Sequence, residues 1–255
     1  MGIQKHIPNF ITLLNLFCGC IALIFLSSTL LPDGFISDPE QIEMTYMLNF
    51  ELAFWFVCLG IILDFFDGFF ARMFNVSGPL GLQLDSLADM VTSGVVPGFA
   101  MFSMMTKAEG IETLPSFFPY LGFLITLGAC LRLARFNIDT RQTSSFIGLP
   151  TPGNCLFILS LPLIALHSDS LLVFEILINP WVLLFISIMS FWIMNAEIPL
   201  FSLKVKKFTV KDNIPQIVFL PLAILLIVMF QFSGIPLVII SYILISIVNN
   251  IFQKN

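Results

Sequence analysis

Roughly eight stretches of mostly apolar residues, each about 20 residues long, constrain the fold of this chain more than any other feature. They lie near residues 9–31, 46–74, 84–106, 116–138, 151–168, 171–200, 214–233 and 234–252. A helix of about 20 apolar residues crosses a bilayer, and it satisfies its own backbone hydrogen bonds in lipid. The sequence therefore predicts an all-α, polytopic transmembrane helix bundle of six to eight spans, with eight favoured.

The composition excludes an ordinary soluble domain, because 58% of the 255 residues are hydrophobic and only 11% are charged. A membrane β-barrel would need segments of about ten residues that alternate between apolar and polar, and the sequence has no such pattern. We expect a single integral membrane domain over residues 1–255 and no nucleic-acid partner. The pattern assigns no role to the last spans, about residues 171–252.

The basic residues indicate the orientation, because lysine and arginine are retained in cytoplasmic loops. With eight spans and the N-terminus inside, only Lys107 falls on the outer side. We therefore expect both termini on the cytoplasmic side of the inner membrane of the cell. The basic residues at cytoplasmic ends are Lys5, Arg72, Arg132, Arg135, Arg141, Lys204, Lys206, Lys207, Lys211 and Lys254.

Four aspartates stand close together in the stretch "LDFFDGFFARMFNVSGPLGLQLDSLAD", at the end of the second span and the start of the third. At about 100° per residue, Asp64 and Asp67 share one helical face, and Asp85 and Asp89 share another. The connecting loop is short, so the two helices should be antiparallel neighbours. We expect the four carboxylates of this hairpin, residues 64–89, to converge on one pocket.

The repulsion between four carboxylates in one pocket must be relieved by protonation, by basic partners or by cations, and divalent metal ions are the economical answer. Two carboxylates 6 Å apart repel by roughly 3 kcal/mol at an effective dielectric of about 20, and Arg72 alone supplies one positive charge. Oxygen ligands indicate hard cations, Mg²⁺ or Mn²⁺, rather than zinc. Four carboxylates can hold two such ions, which is frequent where a phosphoryl group is displaced.

Small residues accompany the aspartates: Gly68, Ala71, Gly78 and Gly81. They allow a bulky headgroup or a partner helix to come close. Arg72 can reach toward a diphosphate with its planar guanidinium group. The hairpin therefore has the features of a clamp for a diphosphate.

The pattern Asp64-x-x-Asp67-Gly68-x-x-Ala71-Arg72, then eight residues, then Gly81-x-x-x-Asp85-x-x-x-Asp89 resembles the signature of the CDP-alcohol phosphatidyltransferase family. The resemblance implies that the first three aspartates bind two divalent metals that hold the CDP diphosphate. It implies that Asp89 also contacts metal and is the catalytic base toward the acceptor alcohol. It further implies a cavity open to the cytoplasm and to lipid, direct displacement of CMP, and a homodimer.

The first span opens with "IPNFITLLNLFCG", in which Asn9, Thr12 and Asn15 form a polar stripe. It is similar to the nucleotide-side segment of that family, which implies that Asn9 and Thr12 face the cytidine or phosphates of CDP-diacylglycerol. The resemblance places Gly68, Arg72 and Gly78 at the same ligand. Related enzymes often have Ser or Thr at the position of Gly78, so a hydroxyl contact is lost there or supplied by adjacent Ser77.

The end of the fourth span reads "ARFN" and is followed by "GLPTP", which resembles the integral-membrane phosphatidylserine synthase branch of the family. Arg132 and Arg135 share a helical face there, and cytoplasmic anchoring is the alternative explanation for both. The resemblance implies L-serine as the acceptor, and an arginine can bind its carboxylate bidentately. We predict that Arg135 binds the acceptor, with a secondary contribution from Asn137.

Other functions stay open at this point. A sister transferase would use glycerol 3-phosphate, inositol phosphate or another alcohol, and an intramembrane prenyltransferase would be expected to carry its acidic motifs in two separate segments. A cation-coupled transporter also places acids in the membrane. It would, however, require broken helices in repeated halves, and no second break matches the one that Pro97 can cause.

Overall fold

The computed structural model describes residues 6–30, 39–76, 78–139, 146–168, 170–201 and 213–254, and these are almost entirely helical. The α-helices are α1 (Ile7–Ser28), α2 (Pro39–Met73), α3 (Pro79–Asp89), α4 (Val96–Thr106), α5 (Leu124–Ile138), α6 (Thr151–His167), α7 (Leu171–Ile178), α8 (Pro180–Asn195), α9 (Ile214–Phe230) and α10 (Gly234–Lys254). A π-helical turn, Met90–Val95, joins α3 to α4, and a 3₁₀ helix, Phe118–Phe123, leads into α5. Two short strands, β1 (Phe146–Ile147) and β2 (Pro199–Leu200), pair antiparallel.

Five helical stretches of the described residues are long and apolar enough to cross a membrane: Ile7–Ser28, Met44–Met73, Pro79–Thr106, Phe118–Ile138 and Ile214–Phe252. The pair α7 and α8 makes a sixth if it forms one span, although the two helices are bent by 67°. Helix α6 is apolar but shorter, at 17 residues. The all-α membrane bundle is confirmed, and length and composition alone count five or six spans in the described residues, the lower end of the predicted six to eight.

The stretch Ile214–Phe252 contains two of the predicted spans, because the chain folds back within it. Gln231 has a positive φ of 49° at the end of α9. The rings of Phe219 and Tyr242 have centroids 5.4 Å apart, although a straight helix would separate these residues by more than about 30 Å. Helices α9 and α10 therefore form a hairpin, in agreement with the predicted division at residues 233–234.

The surface of this hairpin requires a lipid environment. An 18-residue segment within Ile214–Phe252 has a mean hydropathy of 2.5, yet only 11% of that segment is buried by protein. Side chains such as Ile224, Val228 and Leu244 are exposed on this surface. In water they would forgo the favourable free energy of removing apolar surface from water. The chain is therefore an integral membrane protein.

Helix α1 lies at the centre of the part of the bundle that carries the aspartates, and it packs on α2, on α3 and on the π-helical turn. The approach to that turn is very close, because a Cβ atom on Gly19 would lie 2.6 Å from Thr92 Oγ1. Glycine at position 19 thus allows α1 to contact the turn that follows Asp89.

Some of the residues used for the sequence predictions lie outside the described residues. These are Lys5, Ser77, Arg141, Lys204, Lys206, Lys207 and Lys211.

Candidate functional site

A tight connection joins α2 to α3 and sets the positions of the four aspartates. Asn75 adopts a left-handed φ of 53°, which asparagine tolerates better than most residues, and the Val76 N–H donates to the Ala71 carbonyl at 3.0 Å. Pro79 then begins α3, where its missing N–H costs nothing. The chain therefore reverses within a few residues, as its short loop predicts.

Helices α2 and α3 do not pack closely against each other, in contrast to the neighbouring helices that the short loop predicts. Helix α3 packs on α1 and on the π-helical turn, and α1 also packs along α2. The acidic side chains of Asp64, Asp67 and Asp85 meet in the space between the two helices. One side of the acidic pocket is therefore formed by α1.

Three carboxylates converge in this pocket. Asp64 and Asp67 from α2 and Asp85 from α3 each offer an oxygen, and these oxygens lie within 4.8 Å of one another. Asp67 is only 6% exposed. Ions with oxygen ligands at about 2.0–2.1 Å span ligand pairs up to about 4.2 Å apart, so small side-chain rotations suffice to bring these oxygens to one ion. The donor set fits a hard divalent cation.

Asp89 lies beside this group rather than within it. It is one helical turn beyond Asp85, and its carboxylate interacts electrostatically with those of Asp64, Asp67 and Asp85. Its Oδ1 accepts a hydrogen bond from Asn15 Nδ2 at 3.3 Å. The four aspartates thus divide into a group of three and a fourth that is held by α1.

Two predicted nucleotide-side residues of α1 face the hairpin. The buried Thr12 hydroxyl donates to Asp67 Oδ2 at 2.5 Å and lies 3.0 Å from the Pro8 carbonyl. Asn9 Oδ1 lies close to α3, since a Cβ on Gly81 would be 3.4 Å from it. The structure therefore brings both α1 residues to the edge of the acidic pocket.

The two glycines predicted to contact CDP-diacylglycerol border open space. A Cβ on Gly68 or on Gly78 would meet no heavy atom of the described residues within 4 Å. Helix packing therefore does not explain a small residue at either position. Arg72 lies on the exposed side of the last turn of α2.

The arginines at the end of α5 occupy different environments. Arg132 is 7% exposed, interacts electrostatically with Asp89, and has an Nε–H without a hydrogen-bond partner in the described part of the chain. Arg135, the arginine selected from the sequence, is exposed. Asn137 Nδ2 donates to Ser86 Oγ at 2.9 Å, which joins α5 to α3 beside Asp85.

The structure brings three residues to the site to which the sequence assigned no role: Asn15, Ser86 and Arg132. Asn15 follows Thr12 by three residues in the polar stripe, so its helical spacing already indicated the same face. Arg132 shares a helical face with Arg135, and the sequence gives no reason to prefer it. Ser86 carries no signal, because a serine beside an aspartate is common on exposed helices.

Comparison with known families identifies the group of proteins to which this site belongs. Residues 5–193 match the family model described as CDP-alcohol phosphatidyltransferase. The chain belongs to the CDP-alcohol phosphatidyltransferase family. The matched region includes α1 to α7 and nearly all of α8, and therefore all of the predicted site residues.

Several known proteins are similar in sequence to this chain. A CDP-diacylglycerol–serine O-phosphatidyltransferase of Bacillus subtilis is 37% identical over 163 residues, which cover 62% of this chain and 76% of that protein. A protein of the same name from Saccharomyces cerevisiae is 30% identical over 165 residues, or 61% of this chain and 53% of that protein. An archaetidylserine synthase of Methanothermobacter thermautotrophicus is 33% identical over 114 residues, or 44% of this chain and 46% of that protein.

Proposed function

We propose that this phosphatidyltransferase moves the phosphatidyl group of CDP-diacylglycerol to the hydroxyl of L-serine and releases phosphatidylserine and CMP. The observation that carries the proposal is the convergence of Asp64, Asp67 and Asp85 in a chain of this family. The serine acceptor is supported by the names of relatives from a bacterium, a yeast and an archaeon.

The acidic residues have two roles in this proposal. Asp64, Asp67 and Asp85, together with Asp89, would hold two divalent cations, Mg²⁺ or Mn²⁺. Cations bound there would supply positive charge to offset the diphosphate and the charge that develops on the leaving CMP. Thr12 supports the cluster by donating its hydroxyl proton to Asp67.

Asp89 is the catalytic base in the transfer step. As the serine oxygen forms its bond to the phosphorus that carries diacylglycerol, Asp89 accepts the hydroxyl proton, and the bond from that phosphorus to the CMP oxygen breaks. No covalent intermediate with the protein is required. Asp89 suits this role because it lies beside the group of three carboxylates and is anchored separately by Asn15.

CDP-diacylglycerol would be bound by residues on both sides of the acidic pocket. Asn9 and Thr12 would face the cytidine or its phosphates from α1. Gly68 and Gly78 would leave room for the headgroup, and Arg72 would approach the diphosphate with its planar guanidinium group. The open space beside both glycines supports this assignment.

The acceptor carboxylate needs a positive partner near Asp89. From the sequence we propose Arg135 with Asn137, and we add Arg132 because its location suits the task. A buried arginine whose Nε–H is unpartnered is costly unless an anion compensates it. Arg132 already interacts with Asp89, so a carboxylate bound by Arg132 would place the serine hydroxyl close to the base.

We also propose that the active site and both termini face the cytoplasm, in the inner membrane of the cell. The exposed Arg72 and Arg135 lie at the same end of the bundle as the aspartates, which supports this orientation. Residues 1–255 would form one membrane domain, since α10 packs on α6. A homodimer is proposed from the family resemblance.

Acceptor choice tests the proposed reaction directly. The protein purified in detergent, with CDP-diacylglycerol and Mn²⁺ or Mg²⁺, is expected to release CMP with L-serine and to form phosphatidylserine, identified by mass spectrometry. Glycerol 3-phosphate and inositol phosphate serve as competing acceptors in parallel reactions. Release with glycerol 3-phosphate and none with serine would overturn the serine assignment, and no release with any alcohol would overturn the transferase.

Gly68→Ala is expected to lower activity without lowering stability. An added methyl group meets no atom of the described residues at this position, and alanine favours a helix over glycine by about 1 kcal/mol. If the headgroup occupies that space, the KM for CDP-diacylglycerol should rise about tenfold, as for a loss of about 1.4 kcal/mol of binding. Steady-state kinetics and thermal unfolding measure the two effects.

Gly153→Ala is the matched control, because a Cβ there would make only ordinary contacts, at 3.7 Å with Leu149 just before α6 and at 3.8 Å with Ile239 of α10. It should leave KM unchanged. An unchanged KM for Gly68→Ala as well would remove Gly68 from the binding site.

A further inference from the structure

The helix that carries Asp85 and Asp89 changes its hydrogen-bonding pattern immediately after Asp89. In the turn Met90–Val95 the bonds are π-helical, and the Val96 N–H donates to the carbonyl of Val91. Pro97 follows and has no N–H to continue an α-helical pattern. An extra residue in a turn shifts the side chains after it by about 100° relative to those before it. Asp89 is therefore the last α-helical residue before this change of register, and it adjoins the turn directly.

Three neighbouring helices hold the π-helical turn through side-chain hydrogen bonds. The Thr92 hydroxyl donates to the Asn15 carbonyl of α1 at 3.1 Å. Thr126 on α5 donates to the Gly94 carbonyl at 2.9 Å, and the Cys155 thiol on α6 donates to the Thr92 carbonyl at 3.5 Å. These contacts place the turn in a fixed position relative to α1.

Asn15 joins this turn to Asp89. It is 1% exposed; its Nδ2 donates to Asp89 Oδ1, while its backbone carbonyl accepts from Thr92. Its Oδ1 has no hydrogen-bond partner in the described part of the chain and points toward α2, where a Cβ on Gly60 would lie 2.8 Å away. With the amide reversed, Oδ1 would face a carboxylate instead. The observed orientation therefore directs an N–H group at Asp89 and leaves a buried oxygen unpaired.

We infer that Asn15 is a positioning residue for Asp89, and that Thr92 on the π-helical turn fixes Asn15 in the orientation that holds the carboxylate. This inference rests on the proposed function, in which Asp89 accepts the proton of the acceptor hydroxyl. Asn15 itself does not touch the reacting atoms in this account. Its effect is on the direction of the Asp89 carboxylate.

Variants of Asn15 and Thr92 separate positioning from packing. Asn15→Ala removes the N–H group and is expected to lower kcat by about 10²-fold, which is the scale of a catalytic group displaced by about 1 Å. Thr92→Val keeps the side-chain volume but loses the hydroxyl, so kcat should fall about tenfold. In both variants the KM for CDP-diacylglycerol should stay within about twofold, because Asp64, Asp67 and Asp85, three of the four proposed cation ligands, are untouched.

Two further variants exclude a merely structural effect. Thr92→Ser retains the hydroxyl and should restore most of the kcat. Gly60→Ala removes no polar group but presses on Asn15 Oδ1, and it should reproduce the fall in kcat.

Thr29→Val is the matched control for Thr92→Val. Thr29 is also a buried threonine, but its hydroxyl contacts Ser103 at the opposite end of α1. We expect this variant to keep its kcat even if its melting temperature falls.

The outcome for Asp89→Asn distinguishes failure of this inference from failure of the proposed function. If Asp89→Asn is inactive while Asn15→Ala and Thr92→Val keep full kcat, Asn15 does not position Asp89. If Asp89→Asn is itself fully active, the proposed base is wrong and the inference fails with it. If Asn15→Ala and Thr92→Val lower the melting temperature and kcat together, and Thr92→Ser is no more active than Thr92→Val, the contact between Thr92 and Asn15 is purely structural.

Discussion

Asp89→Asn is expected to lower kcat by about 10²- to 10⁴-fold, the usual contribution of a general base, while CDP-diacylglycerol still binds. The substitution keeps the shape of the side chain, and its amide oxygen can still accept the hydrogen bond from Asn15. It removes the group that takes the proton from the acceptor hydroxyl. CMP release measures turnover, and equilibrium binding of CDP-diacylglycerol in detergent measures affinity.

Glu109→Gln is the control for this change, because it also removes one carboxylate but lies exposed beyond the far end of α4. It should leave turnover unchanged. Unchanged turnover in Asp89→Asn would contradict the role of base. Lost binding in Asp89→Asn would instead assign Asp89 mainly to holding the cations and the diphosphate.

The acidic pocket follows from local rules, which explains why the sequence predicts it. Helical periodicity places Asp64 and Asp67 on one face of α2. Because the loop between α2 and α3 is short, Asp85 at the start of α3 lies near them. The same periodicity places Thr12 with Asn9 and Asn15 on one polar face of α1. These features depend only on residues within one helical turn of each other and on one short loop. They can therefore be predicted without knowing how the whole bundle packs.

The partners of Asp89 depend on contacts that the sequence does not contain. The bond from Asn15 joins residues that are far apart in the chain, and the π-helical turn changes the register after Asp89. A uniform helix of 3.6 residues per turn cannot predict that change. The choice between Arg132 and Arg135 likewise depends on which side of α5 the rest of the bundle covers.

The division of the chain into spans is likewise only partly predictable from the sequence. Residues 171–200 read as one apolar stretch, but α7 ends before Asn179, whose side chain accepts from the N–H groups of Trp181 and Val182 and so caps α8. Hydropathy counts the stretch as continuous, whereas the cap and Pro180 start a new helix at an angle of 67°. The Asn-Pro step is visible in the sequence, but the angle is set by packing against neighbouring helices.

Removal of divalent cations is expected to abolish CMP release completely, and addition of Mg²⁺ or Mn²⁺ should restore it. Without cations, the carboxylates of Asp64, Asp67 and Asp85, with oxygens within 4.8 Å of one another, would repel the diphosphate of the substrate. The measurement is CMP release after treatment with a chelator and dialysis, followed by titration with each cation. Potassium at the same ionic strength should restore nothing, which separates specific binding from charge screening.

The number and location of the ions can be tested on the same protein without substrate. Direct Mn²⁺ binding, measured by equilibrium dialysis, is expected to show two ions per chain, and Asp67→Asn should weaken it by at least about tenfold, since a buried carboxylate ligand is replaced by a neutral amide. Glu112→Gln, which removes an exposed carboxylate beyond α4 on the opposite side of the bundle, should bind Mn²⁺ normally. Full activity in the presence of chelator, or Mn²⁺ binding that survives the loss of Asp67, would show that these carboxylates do not act through cations. Because the binding measurement needs no acceptor, it would hold even if the acceptor were an alcohol other than serine.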